Sequence, residues 1–432
     1  SMSKEENRKN FSKYVSQNIL GMIGFSCYVL ADSYFISIAK GADGLTALNL
    51  VMPLYSIIFS IGEMIGVGSA IRYAISKIKK DADADDYFWN ALIWCILSSM
   101  LFVFAGIFFS ADIMRVLGAD EHIVAVGNNY TKIFMCFAPM FMCNYVTNAF
   151  VRNDGAPGIA MSATLFSSLF NIVFDYILMF PMNLGMEGAA LATALSPIIG
   201  MGICSIHFFS KKSSVRLVVC KPSVRKLVAG CQLGVSAFVG EMSSAVITLA
   251  FNFVILKLAG NVGVAAYGVV ANIAIVTTAV FNGVAQGSQP LISSCFGRGD
   301  KDGCTQLKRM GYTTAFVLAA VMYSILFIFA GQFVAVFNSE GSEMLRLYAT
   351  EGVKLYFIGI FFAGINIVGG GAFSATEDAF KAAVVSVARG FVLILGAVFV
   401  MSAFFGMTGV WLAYAVAEGI TTFIMLVMAM RV

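Results

Sequence analysis

Of the 432 residues, 59% are hydrophobic and only 12% charged, about half the charged share of a soluble domain, so most of the surface cannot face water. The net charge is only +4, without basic runs interleaved with aromatic platforms, which excludes a nucleic-acid-binding role. The nine cysteines form no CxxC pair and read as small buried hydrophobes, not as metal ligands or a disulfide framework.

Taken in chain order, apolar runs fall at 11–39, 43–76, 87–110, 121–151, 156–181, 185–210, 226–257, 262–296, 310–336, 344–374, 379–404 and 406–430. Each approaches or exceeds the ~20 residues that cross a bilayer core, so the chain reads as an all-α integral membrane protein of twelve helices. Ser1 to Asn10 is polar and the first run is too long for a signal-peptide core, so no cleaved signal is expected. The first run carries Asp32 about seven residues before its far end, roughly 10 Å below the boundary at ~1.5 Å per residue. The fifth run places Asp175 at a similar depth with Asn171 one turn deeper on the same face, and the sixth adds Thr193. In later runs Glu241, Arg389 and Glu418 stand at membrane depth, with Asn366 the nearest polar candidate in the tenth.

Basic residues set the expected orientation. Lys4, Arg8, Lys9, Lys77, Lys79, Lys80, Lys211, Lys212, Arg216, Arg298, Lys301 and Arg431 fall on one side, against Lys40, Arg115, Lys257 and Arg346 on the other. The positive-inside rule then puts both termini in the cytoplasm and the protein in the plasma (inner) membrane. The polar stretch at the midpoint divides the chain into an amino-terminal lobe (1–210), a linker (211–225) and a carboxy-terminal lobe (226–432).

The two lobes repeat. Gly185-Met-Glu-Gly-Ala-Ala-Leu-Ala-Thr-Ala194 recurs as Gly406-Met-Thr-Gly-Val-Trp-Leu-Ala-Tyr-Ala415, at a shift of 221 with six of ten positions identical. At a shift of 219, Gly44, Ala47, Gly68, Ser69, Asp81 and Asp83 fall on Gly263, Ala266, Gly287, Ser288, Asp300 and Asp302. Six spans per unit is an even number, so both halves enter from the same side, the parallel-repeat architecture of two pseudo-symmetric six-helix bundles.

An ionisable side chain at membrane depth costs ~2.5–3.5 kcal/mol even on the lenient insertion scale, so neutral residues would pack these helices more cheaply. Asp32, Asn171, Asp175 and Thr193 therefore read as a site for a proton or for a hard cation such as Na⁺, against the plainer alternative that Asn171 and Thr193 only hydrogen-bond between helices. The carboxy-terminal lobe does not repeat these acids: Asp32 falls on Phe251 and Thr193 on Tyr414. Glu418 and Arg389, if they meet, read as a buried ion pair; Glu241, with no basic partner on its own helix, is a candidate for binding a cationic substrate or a proton, and Glu63, inward of the midplane, is a functional candidate on depth alone. An enzyme would need a catalytic constellation, and neither His122 nor His207 sits in a nucleophile-activating or metal-binding motif.

Ala31-Asp32-Ser33-Tyr34-Phe35-Ile36 followed by Ala47 and Pro53, Asn171-Ile-Val-Phe-Asp175, Gly188-Ala-Ala-Leu-Ala-Thr193, and Phe281-Asn-Gly-Val-Ala-Gln-Gly-Ser-Gln-Pro290 leading to Gly297 resemble, in order and spacing, the multidrug and toxic compound extrusion (MATE) family over essentially the whole chain. The resemblance implies an ion-coupled antiporter that exports amphipathic, cationic small molecules in exchange for H⁺ or Na⁺, expected to act as a monomer in the bilayer without a cofactor. By it, Asp32, Asn171, Asp175 and Thr193 match the coupling-cation site, and Glu241 roughly matches a carboxy-lobe cation position, with Glu418 and Asn366 beside it as candidates. Gln17 and Ser236 stand where many members have proline. The same superfamily includes lipid-linked precursor flippases, the alternative reading, although helix-interior Lys and Arg are scarce for an anionic head group.

Overall fold

The computed structural model describes residues 3–338 and 341–429; Arg431 lies outside them. Nearly everything described is helical. In chain order the helices are α1 Lys4–Gly41, α2 Asp43–Ile78, α3 Asp86–Val116, α4 Glu121–Asn153, α5 Pro157–Met179, α6 Met186–Phe208, α7 Val224–Gly260, α8 Val262–Gly297, α9 Lys301–Ile328, and α10 Glu343–Ala375. A last continuous stretch, Ala379–Ala429, breaks at Gly406 into α11 and α12. α4 is two pieces bent by 46° at Phe137, where Pro139 cannot donate to the preceding turn. Counted with those two breaks, the twelve expected spans are present.

Four glycines make the repeat visible in the backbone. Gly41 (φ 59°, ψ −142°) turns α1 into α2, and Gly260 (φ 69°, ψ −156°), 219 residues on, turns α7 into α8. Gly185 (φ 57°, ψ −130°) opens α6, and its repeat partner Gly406 (φ 62°, ψ −139°) separates α11 from α12. This region is closed to side chains with a Cβ, and a Cβ at Gly41, Gly260 or Gly406 would meet nothing within 4 Å, so conformation and not space demands glycine.

Each half packs its own apolar core. One gathers residues such as Ile36, Tyr55, Phe134, Phe150 and Met179, the other Phe251, Phe281, Phe357, Val398 and Trp411, with Phe11 and Val15 of α1 reaching across into the second. Leu101, Phe108, Phe404 and Phe423 remain exposed on the outer faces, where lipid tails would cover them. The segment between α6 and α7 is tied to the first half: Ser214 N donates to Asp154 Oδ2 at 2.8 Å, which His207 also meets at 2.7 Å, and Trp89 Nε1 donates to the Cys220 carbonyl at 2.8 Å.

The halves meet at the end carrying Lys4, Lys77 and Arg298, here called the basic end. There α2 crosses α7 and α8 crosses α1, with backbones in contact. A Cβ on Gly68 would lie 1.8 Å from the Gly230 carbonyl oxygen, one on Gly234 2.0 Å from that of Met64, and one on Gly287 2.6 Å from Val15 Cα. Gly68 and Gly287, and Val15 and Gly234, are repeat equivalents, so the two crossings are copies of one contact. Polar bonds reinforce it. Arg72 donates to the Ala229 carbonyl (2.9 Å), Glu377 (3.0 Å) and Gln232 (3.4 Å); Asn153 and Gln289 exchange two amide hydrogen bonds (3.1 and 2.9 Å); Asn7 donates to Gln306 at 3.0 Å.

Candidate functional site

Close packing inside the first half sets the site. Gly21 and Gly24 let α1 lie against Met161, Thr164 and Leu165 of α5, and Gly188 lets α6 approach the Leu178 backbone, one turn from Asp175. Three helices thereby converge. Asp32 from α1, Asn171 and Asp175 from α5 and Thr193 from α6 are 7%, 0%, 0% and 2% exposed. Asp32 and Asp175 are close enough to feel each other's charge.

Partners are missing around them. Asp32 Oδ1, both carboxyl oxygens of Asp175, Asn171 Oδ1 and Nδ2, and Thr193 Oγ1 are all buried without a hydrogen-bond partner among the described residues. Burying polar atoms unpaired costs ~1–3 kcal/mol each and more for a charge, so this cluster is costly as it stands. Two carboxylates, an amide oxygen and a hydroxyl suit H⁺ or Na⁺; among the described residues no group of three or more His, Cys, Asp or Glu side chains converges as a multivalent metal would ask. Tyr28, Tyr55 and Tyr130 stand within electrostatic range of both aspartates, with the Tyr55 and Tyr130 hydroxyls 2.8 Å apart. Sequence reasoning missed these phenols, because single tyrosines in apolar helices carry no spacing signal.

The second half is built differently. Arg389 Nε lies 2.9 Å from Glu418 Oε1, Asn366 Nδ2 donates to Glu418 Oε2 at 2.8 Å, and Thr422 Oγ1 donates to Asn366 Oδ1 at 2.9 Å. A short π-helical turn, Ala388–Val392, inserts an extra residue into the helix at Arg389. Glu418 and Asn366 are thus together, but the Glu418 carboxylate already carries the Arg389 guanidinium. Where the first half has Asp32 and Thr193, this half has Phe251 and Tyr414, whose rings join Tyr267 and Tyr356 in stacked pairs at 5.0 and 4.5 Å. Glu241 joins neither group. It lines a cleft between the halves that Glu63 on α2 also lines, and Gln286 Nε2 donates to Glu63 Oε1 at 3.3 Å.

The family model MatE matches this chain twice in succession, at residues 18–177 and 237–400, three quarters of its length. The chain belongs to the MatE family. Relatives of this MatE protein include the multidrug export protein MepA of Staphylococcus aureus (strain MRSA252), 27% identical over 414 residues covering 93% of this chain and 89% of that protein, and MepA of Staphylococcus saprophyticus, 26% identical over 409 residues with the same coverage. Its fold matches a structure described as an outward-facing multidrug resistance MATE family transporter, with TM-score 0.91, 20% identity and coverage of 98% and 96%. A MOP superfamily transporter from Pyrococcus furiosus matches with the same TM-score, identity and coverage. The MatE chain is therefore a multi-pass membrane transporter and not an enzyme, its two halves the twelve-helix architecture of that family.

Proposed function

We propose that this MatE protein exports amphipathic organic cations from the cytoplasm in exchange for H⁺ or Na⁺, as a monomer in the plasma membrane with both termini and the basic end inside. The observation that carries this reading is the set of buried, unpartnered polar atoms on Asp32, Asn171, Asp175 and Thr193. A coupling ion bound there neutralises the aspartates and favours one packing of α1 against α5; substrate in the cleft favours another. Exchange follows from differential affinity for the two states. The names of the staphylococcal relatives support multidrug export as the cargo class.

Two cation stores in the other half are read differently. Glu418 is already paired with Arg389 and accepts from Asn366, which leaves both a structural role, whereas Glu241 opens on the cleft and belongs with the substrate. Proteoliposomes loaded with a fluorescent organic cation, under imposed pH and Na⁺ gradients, test the reading. Gradient-driven movement is expected with one of the two ions; no movement under either, with flipping of a lipid-linked precursor instead, would replace export by a flippase function.

A further inference from the structure

Two basic-end turns neutralise themselves. The α2–α3 turn sets Asp81, Asp83, Asp85 and Asp86 against Lys77, Lys79 and Lys80, and the α8–α9 turn sets Asp300 and Asp302 against Arg298 and Lys301. The segment joining α6 to α7 does not. It carries Lys211, Lys212, Arg216, Lys221, Arg225 and Lys226, and no acid stands anywhere between Glu187 and Glu241. Lys226 pairs with Asp83 of the α2–α3 turn at 2.6 Å; the other five are exposed, and among the described residues none of them meets a carboxylate.

Apolar side chains stand among these cations. Leu217, Val218 and Val219 are consecutive and 60%, 39% and 70% exposed, a run that water disfavours and a lipid boundary accepts. The segment is also held at the level of such a boundary. Trp89 and Trp94, near the start of α3, donate their indole Nε1 to the carbonyls of Cys220 (2.8 Å) and Ser223 (3.2 Å), and Asn90 Oδ1 accepts from Ser223 N at 2.7 Å. Tryptophan settles at the membrane–water interface. Beyond Trp94 the exposed stripe of α3 runs on through Leu97, Leu101, Phe104 and Phe108 at helical spacing. A partner that offers both apolar surface and anionic oxygens at that level is a phospholipid with an acidic head group.

We propose that the α6–α7 segment is an anionic-lipid site, its apolar run dipping into the leaflet at the basic end while Lys211, Lys212, Arg216 and Lys221 hold acidic head groups. Cations alone would give an attraction that salt screens, and the apolar run alone would not choose between lipids; together they bind and select. Because α7 begins at Val224, directly after the Ser223 bonds to α3, lipid bound here steadies the point at which the chain passes into the second half. Such binding is independent of what the carrier exports.

Tryptophan quenching in proteoliposomes tests this, because Trp89 and Trp94 touch the segment, whereas Trp411, the third tryptophan of the chain, is buried in the second half. Brominated phosphatidylglycerol and brominated phosphatidylcholine with the same acyl chains are each titrated into phosphatidylcholine bilayers. A surface cation is worth about fivefold in anionic-lipid affinity, so wild type is expected to prefer phosphatidylglycerol by about tenfold or more. Glutamine at Lys211, Lys212, Arg216 and Lys221 should bring the ratio toward one, and Leu217→Ser with Val219→Ser should lower it with every charge retained. Glutamine at Lys4, Lys9 and Lys13 of α1 and Lys301 of α9, exposed cations of the same end, should leave it unchanged. Thermal unfolding confirms that each variant is folded, and Arg216→Gln with Lys221→Gln serves where the fourfold variant is not. Equal quenching by the two lipids in wild type would overturn the proposal and leave the patch to a protein partner. A preference that survives in the segment variants, or one lost equally in the α1 and α9 variant, would overturn it as well.

Discussion

Arg389 holds Glu418 at 2.9 Å inside the second half, with Glu418 only 3% exposed. The first half offers its aspartates no such base. One half thus carries its countercharge covalently, and this asymmetry is why the proposed ion exchange is placed at Asp32 and Asp175 alone.

Breaking the Arg389 pair should therefore be a stability defect. Arg389→Met leaves Glu418 buried and uncompensated, with an expected loss of about 3–5 kcal/mol. Arg389→Met combined with Glu418→Gln should lose markedly less, since no charge is then stranded. Thermal unfolding in detergent reads both, and a single variant as stable as wild type would remove the structural role.

Gly68 decides whether the basic end can close. A Cβ there would lie 1.8 Å from the Gly230 carbonyl oxygen, a backbone atom that cannot swing aside. Gly68→Val is expected to keep both halves folded and to lower transport by about tenfold or more, because misfit at packed contacts costs ~1–3 kcal/mol. Spin labels across the basic end should report a longer separation than in wild type; an unchanged separation would contradict the close-packed crossing.

Arg72 and Glu377 form a lighter latch at the same end. Glu377 is held at φ 60°, a left-handed conformation that glycine adopts without strain, and its carboxylate meets Arg72 at 3.0 Å. Arg72→Ala removes three bonds between the halves and should weaken closure by about 1–3 kcal/mol, a ~5–150-fold change in population. Glu377→Gly relieves the backbone while losing the ion pair, so it should open the end less than Arg72→Ala. Equal populations in all three proteins, measured by the same spin labels, would show that the latch does not govern closure.

The helices and their order were legible because each must be apolar along its whole length, and Asp32 and Asp175 because an acid at that depth needs a reason. The matched glycine turns were partly legible: Gly185 and Gly406 stood in the repeated segment, but Gly41 and Gly260 fell outside it, and a glycine's φ leaves no mark in sequence. Arg389 and Glu418 could be paired as a conditional, since only the structure brings α11 to α12. That Glu63 and Glu241 line one cleft was not legible at all, because it depends on how the two halves are set against each other. Likewise, Tyr55 and Tyr130 are 75 positions apart and meet only through the packing of α2 on α4.

The central claim is that export depends on a cation exchanged at Asp32. Transport of a fluorescent organic cation by proteoliposomes containing wild type, Asp32→Asn or Asp175→Asn, under a pH or Na⁺ gradient, tests it most directly. Gradient-driven export by wild type and its loss in Asp32→Asn are expected, the variant staying folded because the amide removes a buried charge at nearly constant volume. Export by Asp32→Asn at the wild-type rate and with the same gradient dependence would contradict it.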